Sequence, residues 1–123
     1  MGRYIDGDIH TKLWFGVQSS DAADRFGVTG HQPEELYYYF SKNDLDKVQK
    51  ELQSIIDEIG IFDLAKLKEF FDSCNAYNDQ MLKEAGLLEI WNKYQSDYAD
   101  YELGCQIRDC IIEQGSCEFT AEL

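Results

Sequence analysis

The stretch Leu103-Gly104-Cys105-Gln106-Ile107-Arg108-Asp109-Cys110-Ile111-Ile112-Glu113-Gln114-Gly115-Ser116-Cys117-Glu118-Phe119-Thr120-Ala121-Glu122 contains the change of period that decides the fold. Up to Gln114 the apolar residues Leu103, Ile107, Cys110 and Ile111 recur at helical spacing. Gly115 closes the helix. Beyond it Cys117, Phe119 and Ala121 alternate with Glu118, Thr120 and Glu122, the period-two pattern of a half-buried strand. The charged alternate positions predict an edge strand that discourages pairing with other chains.

Further towards the N-terminus, Leu87, Trp91, Tyr94, Tyr98 and Tyr101 form a second stripe, nearly opposite the first at ~100° per residue. Gly104 lies between the stripes and favours a kink, because glycine is a poor interior helix residue. A continuous helix over 87–114 would instead serve two apolar neighbours and leave a tyrosine-rich face for another subunit or a ligand. Leu45, Val48, Leu52, Ile55 and Ile59 predict an amphipathic helix of about five turns, capped by Ser41 or Asn43 and ended by Gly60. Asp63 to Asn75 repeats the pattern with Leu64, Leu67, Phe70, Phe71 and Cys74, and a short helix over 79–85 ends at Gly86. Leu36-Tyr37-Tyr38-Tyr39-Phe40 has strand composition. So do residues 9–18, with Ile9, Thr11, Leu13, Phe15 and Val17 on one face, Trp14 opposite, and Gly16 at a bulge. Residues 19–26 resemble one helical turn capped by Ser20. The expected architecture is one domain over residues 1–123. It is α+β, with a small, mostly antiparallel sheet of about three strands, the C-terminal one included, packed against three to five helices.

Composition bounds the partners. Twenty-four carboxylates face eleven Lys and Arg, a formal charge of −13, yet 44% of the residues are hydrophobic. That excludes an acidic disordered tail and describes a core with an anionic coat. Such a coat repels nucleic acids and anionic membranes and attracts basic surfaces. No apolar run approaches the ~20 residues that span a bilayer. The first residues carry acids and no apolar signal region, which predicts a cytoplasmic location. Cys74, Cys105, Cys110 and Cys117 form no Cys-x-x-Cys pair, so reduced thiols are expected, with no metal and no cofactor.

Four groups of residues could carry chemistry. Asp6 and Asp8 flank Gly7, but the oxygens needed to complete a calcium loop are lacking, which leaves a solvated turn. Ser20 and Arg25, with Trp14, could hold a phosphate at the turn after the first strand. Asp21 and Asp24 already complement that turn, which favours a self-capped reading. His10 and His31 lack any nucleophile elbow. Tyr37-Tyr38-Tyr39 and the stripe Tyr94, Tyr98, Tyr101 could anchor a partner or serve as core. From Tyr94 onward there are seven acids and one base, Arg108, so direct nucleic-acid binding is disfavoured.

The run Gly2-Arg3-Tyr4-Ile5-Asp6-Gly7-Asp8-Ile9, with Lys12 and Trp14-Phe15-Gly16-Val17-Gln18-Ser19-Ser20-Asp21-Ala22-Ala23-Asp24, resembles a family of small uncharacterised proteins of bacteriophages and prophages. So does the ending Arg108-Asp109-Cys110 through Gly115, followed by Cys117-Glu118-Phe119-Thr120-Ala121-Glu122-Leu123. The resemblance covers both ends and implies a setting inside a bacterial host cell. It implies no catalytic residue.

The leading expectation is a non-enzymatic inhibitor that blocks a basic, nucleic-acid-binding host defence protein. Asp97, Asp100, Glu102 and Asp109 would contact the partner, with Tyr98 and Tyr101 as anchors. An alternative is an oligomeric sponge that sequesters a host signalling nucleotide at Trp14, Ser20 and Arg25. A further alternative is a small metal-dependent hydrolase using paired carboxylates such as Asp6 and Asp8.

Overall fold

In the computed structural model, which describes residues 3–14, 17–28, 35–73 and 77–122, the C-terminal strand organises the sheet. That strand, β4 (Ser116–Glu122), lies between β1 (Arg3–Gly7) and β3 (Glu35–Ser41), and β2 (Thr11–Leu13) extends the sheet beyond β1. All pairings are antiparallel, with Ile5 opposite Ala121, Tyr39 opposite Glu118 and Tyr4 opposite Lys12. Among the described residues the sheet therefore has four strands, and β4 is a central strand, not the expected edge. Its alternation reads correctly: Cys117, Phe119 and Ala121 are buried and Glu118 is exposed. What alternation does not reveal is that both edges of β4 are paired.

Of the strand expected over residues 9–18, the described residues form strand at Thr11–Leu13. After it the chain turns, with the Val17 and Gln18 N–H groups both donating to the Trp14 carbonyl. Phe15 and Gly16 lie outside the described residues, as do His31 and Cys74. Of the solvated turn expected at Asp6 and Asp8, Asp6 lies in β1 and Asp8 in the bend that follows it, both exposed. At Gly7 (φ +145°) a Cβ atom would sit 2.6 Å from both the Glu118 carbonyl oxygen and the Phe119 Cα. Only glycine fits against β4 there.

Among the described residues there are four α-helices, α1 (Leu45–Ile59), α2 (Ile61–Asp72), α3 (Asp79–Glu84) and α4 (Leu88–Gln114); α4 packs against β3 and β4, α1 packs on α4, and α2 and α3 pack around these helices. A two-layer α+β architecture results, matching the expected fold class. Of the two caps expected for α1, Ser41 and Asn43, Ser41 caps the 3-10 turn that precedes the helix, and α1 itself starts after Asp44 with no side-chain cap. The Ser41 N–H donates to the Asp44 carboxylate at 2.8 Å, and its hydroxyl accepts from the Asn43 N–H at 3.2 Å. That box closes a 3-10 turn over Lys42–Asp44, which leads directly into α1. Val48, Leu52, Ile55 and Ile59 are the buried stripe of α1. A second 3-10 turn, Ala22–Phe26, begins after Asp21 and has no side-chain cap, so Ser20 does not cap it.

The kink favoured at Gly104 is absent, because α4 runs unbroken for 27 residues. A Cβ on Gly104 would meet Phe26 Cε1 at 2.5 Å and Leu52 Cδ2 at 2.8 Å. The glycine therefore admits the 3-10 turn and α1 close to α4. The helix serves two neighbours. Leu103, Ile107, Cys110 and Ile111 join the core formed with Phe40, Phe119 and α1, while Trp91 and Tyr98 pack towards α2. Buried Ile5, Leu13, Leu36, Tyr38 and Phe40 complete the sheet side of that core. Among the described residues no helix is long and apolar enough to cross a membrane.

Candidate functional site

The expected partner-binding residues of α4 do not form an exposed stripe. Tyr98 is fully buried (0%) and Asp100 is 8% exposed. Tyr98 packs against Phe71, Trp14 and Trp91, and its hydroxyl donates to Glu102 at 2.6 Å. This tyrosine is a core residue and not a surface anchor. Tyr101 is half-buried, and burial with nearby Cys105 lifts its phenol to about 12. Of the set, only Asp109 is exposed, and it accepts from its neighbour Arg108 at 2.9 Å.

Arg25 draws Asp97 and Asp100 of α4 into one ion-pair group. Its guanidinium lies 2.7 Å from Asp100, 3.3 Å from Asp97 and 2.8 Å from Glu51 of α1. Gln18 donates to the other Asp100 oxygen at 2.8 Å. Burial lifts the Asp100 carboxyl above the usual carboxylate range, and the bonds from Arg25 and Gln18 only partly oppose it. The group ties the Ala22–Phe26 turn to α1 and α4. A phosphate placed on Arg25 would meet these three carboxylates, so Ser20 and Arg25 do not assemble an anion site. Trp14, the other member of that set, packs on Phe71, Tyr77, Trp91 and Tyr98 with ring centroids 5.5–6.2 Å apart.

The carboxylates at the N-terminus are separately engaged. Asp6 lies 2.7 Å from His10, both exposed, and the Asp8 carboxylate accepts the Glu118 N–H at 3.0 Å. Among the described residues no group of three or more His, Cys, Asp or Glu is placed to hold a metal ion. Of the described thiols, Cys110 and Cys117 are buried and Cys105 half-buried, all free. Burial pushes the Cys105 and Cys117 thiols up, away from the reactive thiolate form.

The surface that does combine tyrosines with acids is the outer face of the sheet. Among the described residues no helix lies over it. The pleat that buries Ile5, Tyr38 and Phe119 turns Tyr4, Tyr37 and Tyr39 outward, at 50%, 39% and 48% exposure. The strand register places Asp6, Thr120 and Tyr37 in one row, and Asp8, Glu118 and Tyr39 in the next. Tyr4 sits beside Lys12 at the β2 margin. The Tyr37 hydroxyl donates to Glu118 at 2.6 Å, which raises the Tyr37 phenol. Two of these tyrosines stood out in the sequence as part of a triplet. The register that gathers them with Tyr4, Asp6 and Glu118 depends on pairing across the whole chain.

An open four-stranded sheet with exposed aromatics is a shape that can stack bases, but RNA-binding sheets add Lys and Arg to hold phosphates. Among the described residues of this face Asp6, Asp8 and Glu118 stand against Lys12 and a His10 engaged by Asp6. Phosphates are repelled and cationic side chains attracted. No protein-family model matches the chain, and no curated protein or solved structure matches it either.

Proposed function

We propose that the chain is a non-enzymatic binding protein that docks its open sheet face on a basic protein surface, of the kind that otherwise holds nucleic acid. The observation that carries this is the grouping of exposed Tyr4, Tyr37 and Tyr39 with Asp6, Asp8 and Glu118 on one uncovered face. Tyrosines supply contact area at low entropic cost, and the acids supply charge complementarity and fast encounter. The contact surface expected on α4 thus moves to the sheet, while the class of partner stays the same. The resemblance to phage proteins supports a target inside a bacterial host, where such an inhibitor would keep a defence protein from its nucleic acid.

The test uses a bacterial lysate fraction retained on heparin, passed over immobilised chain. A protein should bind at ~50 mM salt, leave at ~200 mM, and leave when duplex DNA is added. Tyr37→Ala with Tyr39→Ala should weaken retention by about 10-fold or more, given about 1 kcal/mol or more for each central aromatic. The circular dichroism spectrum should not change. Retention indifferent to salt, to duplex and to the sheet-face substitutions refutes the proposal.

A further inference from the structure

The outer edge of β3 supports a second inference, independent of what docks on the sheet face. Glu118, opposite Tyr39, directs its own peptide groups to β1: its carbonyl accepts the Asp8 N–H at 2.7 Å and its N–H reaches the Asp8 carboxylate. In an antiparallel pair both peptide groups of a residue point the same way and alternate along the strand. Tyr39 therefore faces away from β4, and so does Tyr37 two residues before it. Ser41 follows the same alternation, since its N–H is taken by Asp44 at 2.8 Å. Among the described residues no strand pairs with that outer edge.

This edge also lacks the usual protection. From Leu36 to Ser41 there is no proline, no lysine and no charge, in a chain whose formal charge is −13. The segment Leu36-Tyr37-Tyr38-Tyr39-Phe40 reads alike in both directions: apolar, Tyr, Tyr, Tyr, apolar. Chain positions Glu35 and Lys42 bound it with opposite charges.

We infer that β3 pairs antiparallel with β3 of a second copy, about a two-fold axis through Tyr38. That register places Tyr37 opposite Tyr39 of the other copy, and Leu36 opposite its Phe40. Each Tyr37–Tyr39 pair exchanges two backbone hydrogen bonds, so the two pairs give four. The phenol rings meet across strands on the open face. Position 35 of one copy reaches the Lys42 end of the other, so the ends match in charge. The contact is isologous and closes at two copies. The product is a continuous sheet with the open faces side by side.

Sedimentation equilibrium from about 5 to about 500 µM, in about 0.3 M salt to screen the anionic coats, reads the assembly by mass action. The mass should rise and saturate at twice that of one chain. Hydrogen exchange at the Tyr37 and Tyr39 amides should slow as concentration rises. Tyr39→Pro removes an outward N–H without touching the β4 ladder, so it should weaken the dimer about tenfold or more and keep the monomer fold. If that variant unfolds, Tyr39→Lys takes its place and should dissociate the dimer by charge. A single-chain mass throughout, growth beyond two copies, or a dimer equally tight in both variants overturns the inference.

Discussion

Replacing Gly104 with alanine sets helix propensity against packing, and the structure says which wins. In a helix interior alanine is favoured over glycine by about 1 kcal/mol, so a kink or a merely tolerated glycine predicts a more stable variant. The added methyl would lie 2.5 and 2.6 Å from two Phe26 ring carbons and 2.8 Å from Leu52 Cδ2. Both side chains are buried, at 1% and 3% exposure, so neither has an empty direction to move. Overpacking of this kind costs about 1–3 kcal/mol, and three contacts this short put Gly104→Ala near 3. Subtracting the propensity gain leaves a net loss of about 2 kcal/mol, or roughly 8 °C in Tm for a domain of this size. Urea and thermal unfolding followed by circular dichroism read both numbers. Shortening the neighbour with Phe26→Leu should make Gly104→Ala less harmful than it is in the parent, giving a favourable coupling in a double-mutant cycle. A Gly104→Ala chain as stable as the parent, or more so, would refute the close-approach account of this residue.

Arg25→Met keeps most of the side-chain length but leaves Asp100 without its cation, and should cost about 2–3 kcal/mol in urea unfolding; a loss below about 0.5 kcal/mol would mean the group contributes little. Burial holds the Asp100 proton to higher pH in the folded chain than in the unfolded one, whose carboxyl titrates near 3.8, so its contribution is whole below 3.8 and is lost as pH rises through the folded value. Asp100→Asn removes that titration, and its stability relative to the parent should climb with pH from about 4 upward; a difference that stays flat from about pH 4 to pH 7 contradicts this assignment. Cys110 and Cys117 are buried, and the Cys117 thiol is pushed up by burial beside Cys110, so iodoacetamide at about pH 8 should modify them, by peptide mass, only after unfolding. Rapid labelling of both in the native chain would contradict their placement.

Helix α1 was legible in the sequence because its evidence is local. Val48, Leu52, Ile55 and Ile59 share one face, Ser41 opens the segment and Gly60 ends it, with no distant partner needed. Strand β1 was not legible. Arg3–Gly7 is five residues with one inward apolar side chain, Ile5, and its main partner is at the other end of the chain. The central place of β4 was hidden for the same reason. Edge and centre differ only in whether a second strand arrives, and the alternation of Cys117, Phe119 and Ala121 is identical in both cases.

The site followed the same division. Tyr94 to Glu102 gives a tyrosine–acid stripe on paper, but Arg25, 75 positions before Asp100, ties up Asp97 and Asp100, and Tyr98 engages Glu102. The aromatic cluster around Trp91 covers Tyr98 from the other side. Charge along a helix shows what is available to solvent only when the opposing element is known. In the triplet Tyr37-Tyr38-Tyr39 the period of two separates a core residue from two surface ones, yet nothing local says which set faces out. The buried Phe119 opposite Tyr38 decides it.

The position of β4 also fixes the order in which this protein can be assembled. Asp8 finds its partner Glu118 only 110 positions later, and β1 and β3 meet no sheet neighbour in common until then. During synthesis the helices precede the strand that joins both sides of the sheet. Before Ser116 is made, β3 is therefore unjoined to the β1–β2 pair and the apolar side chains that face β4 lack their cover, so the arrival of Ser116–Glu122 closes the sheet in one step.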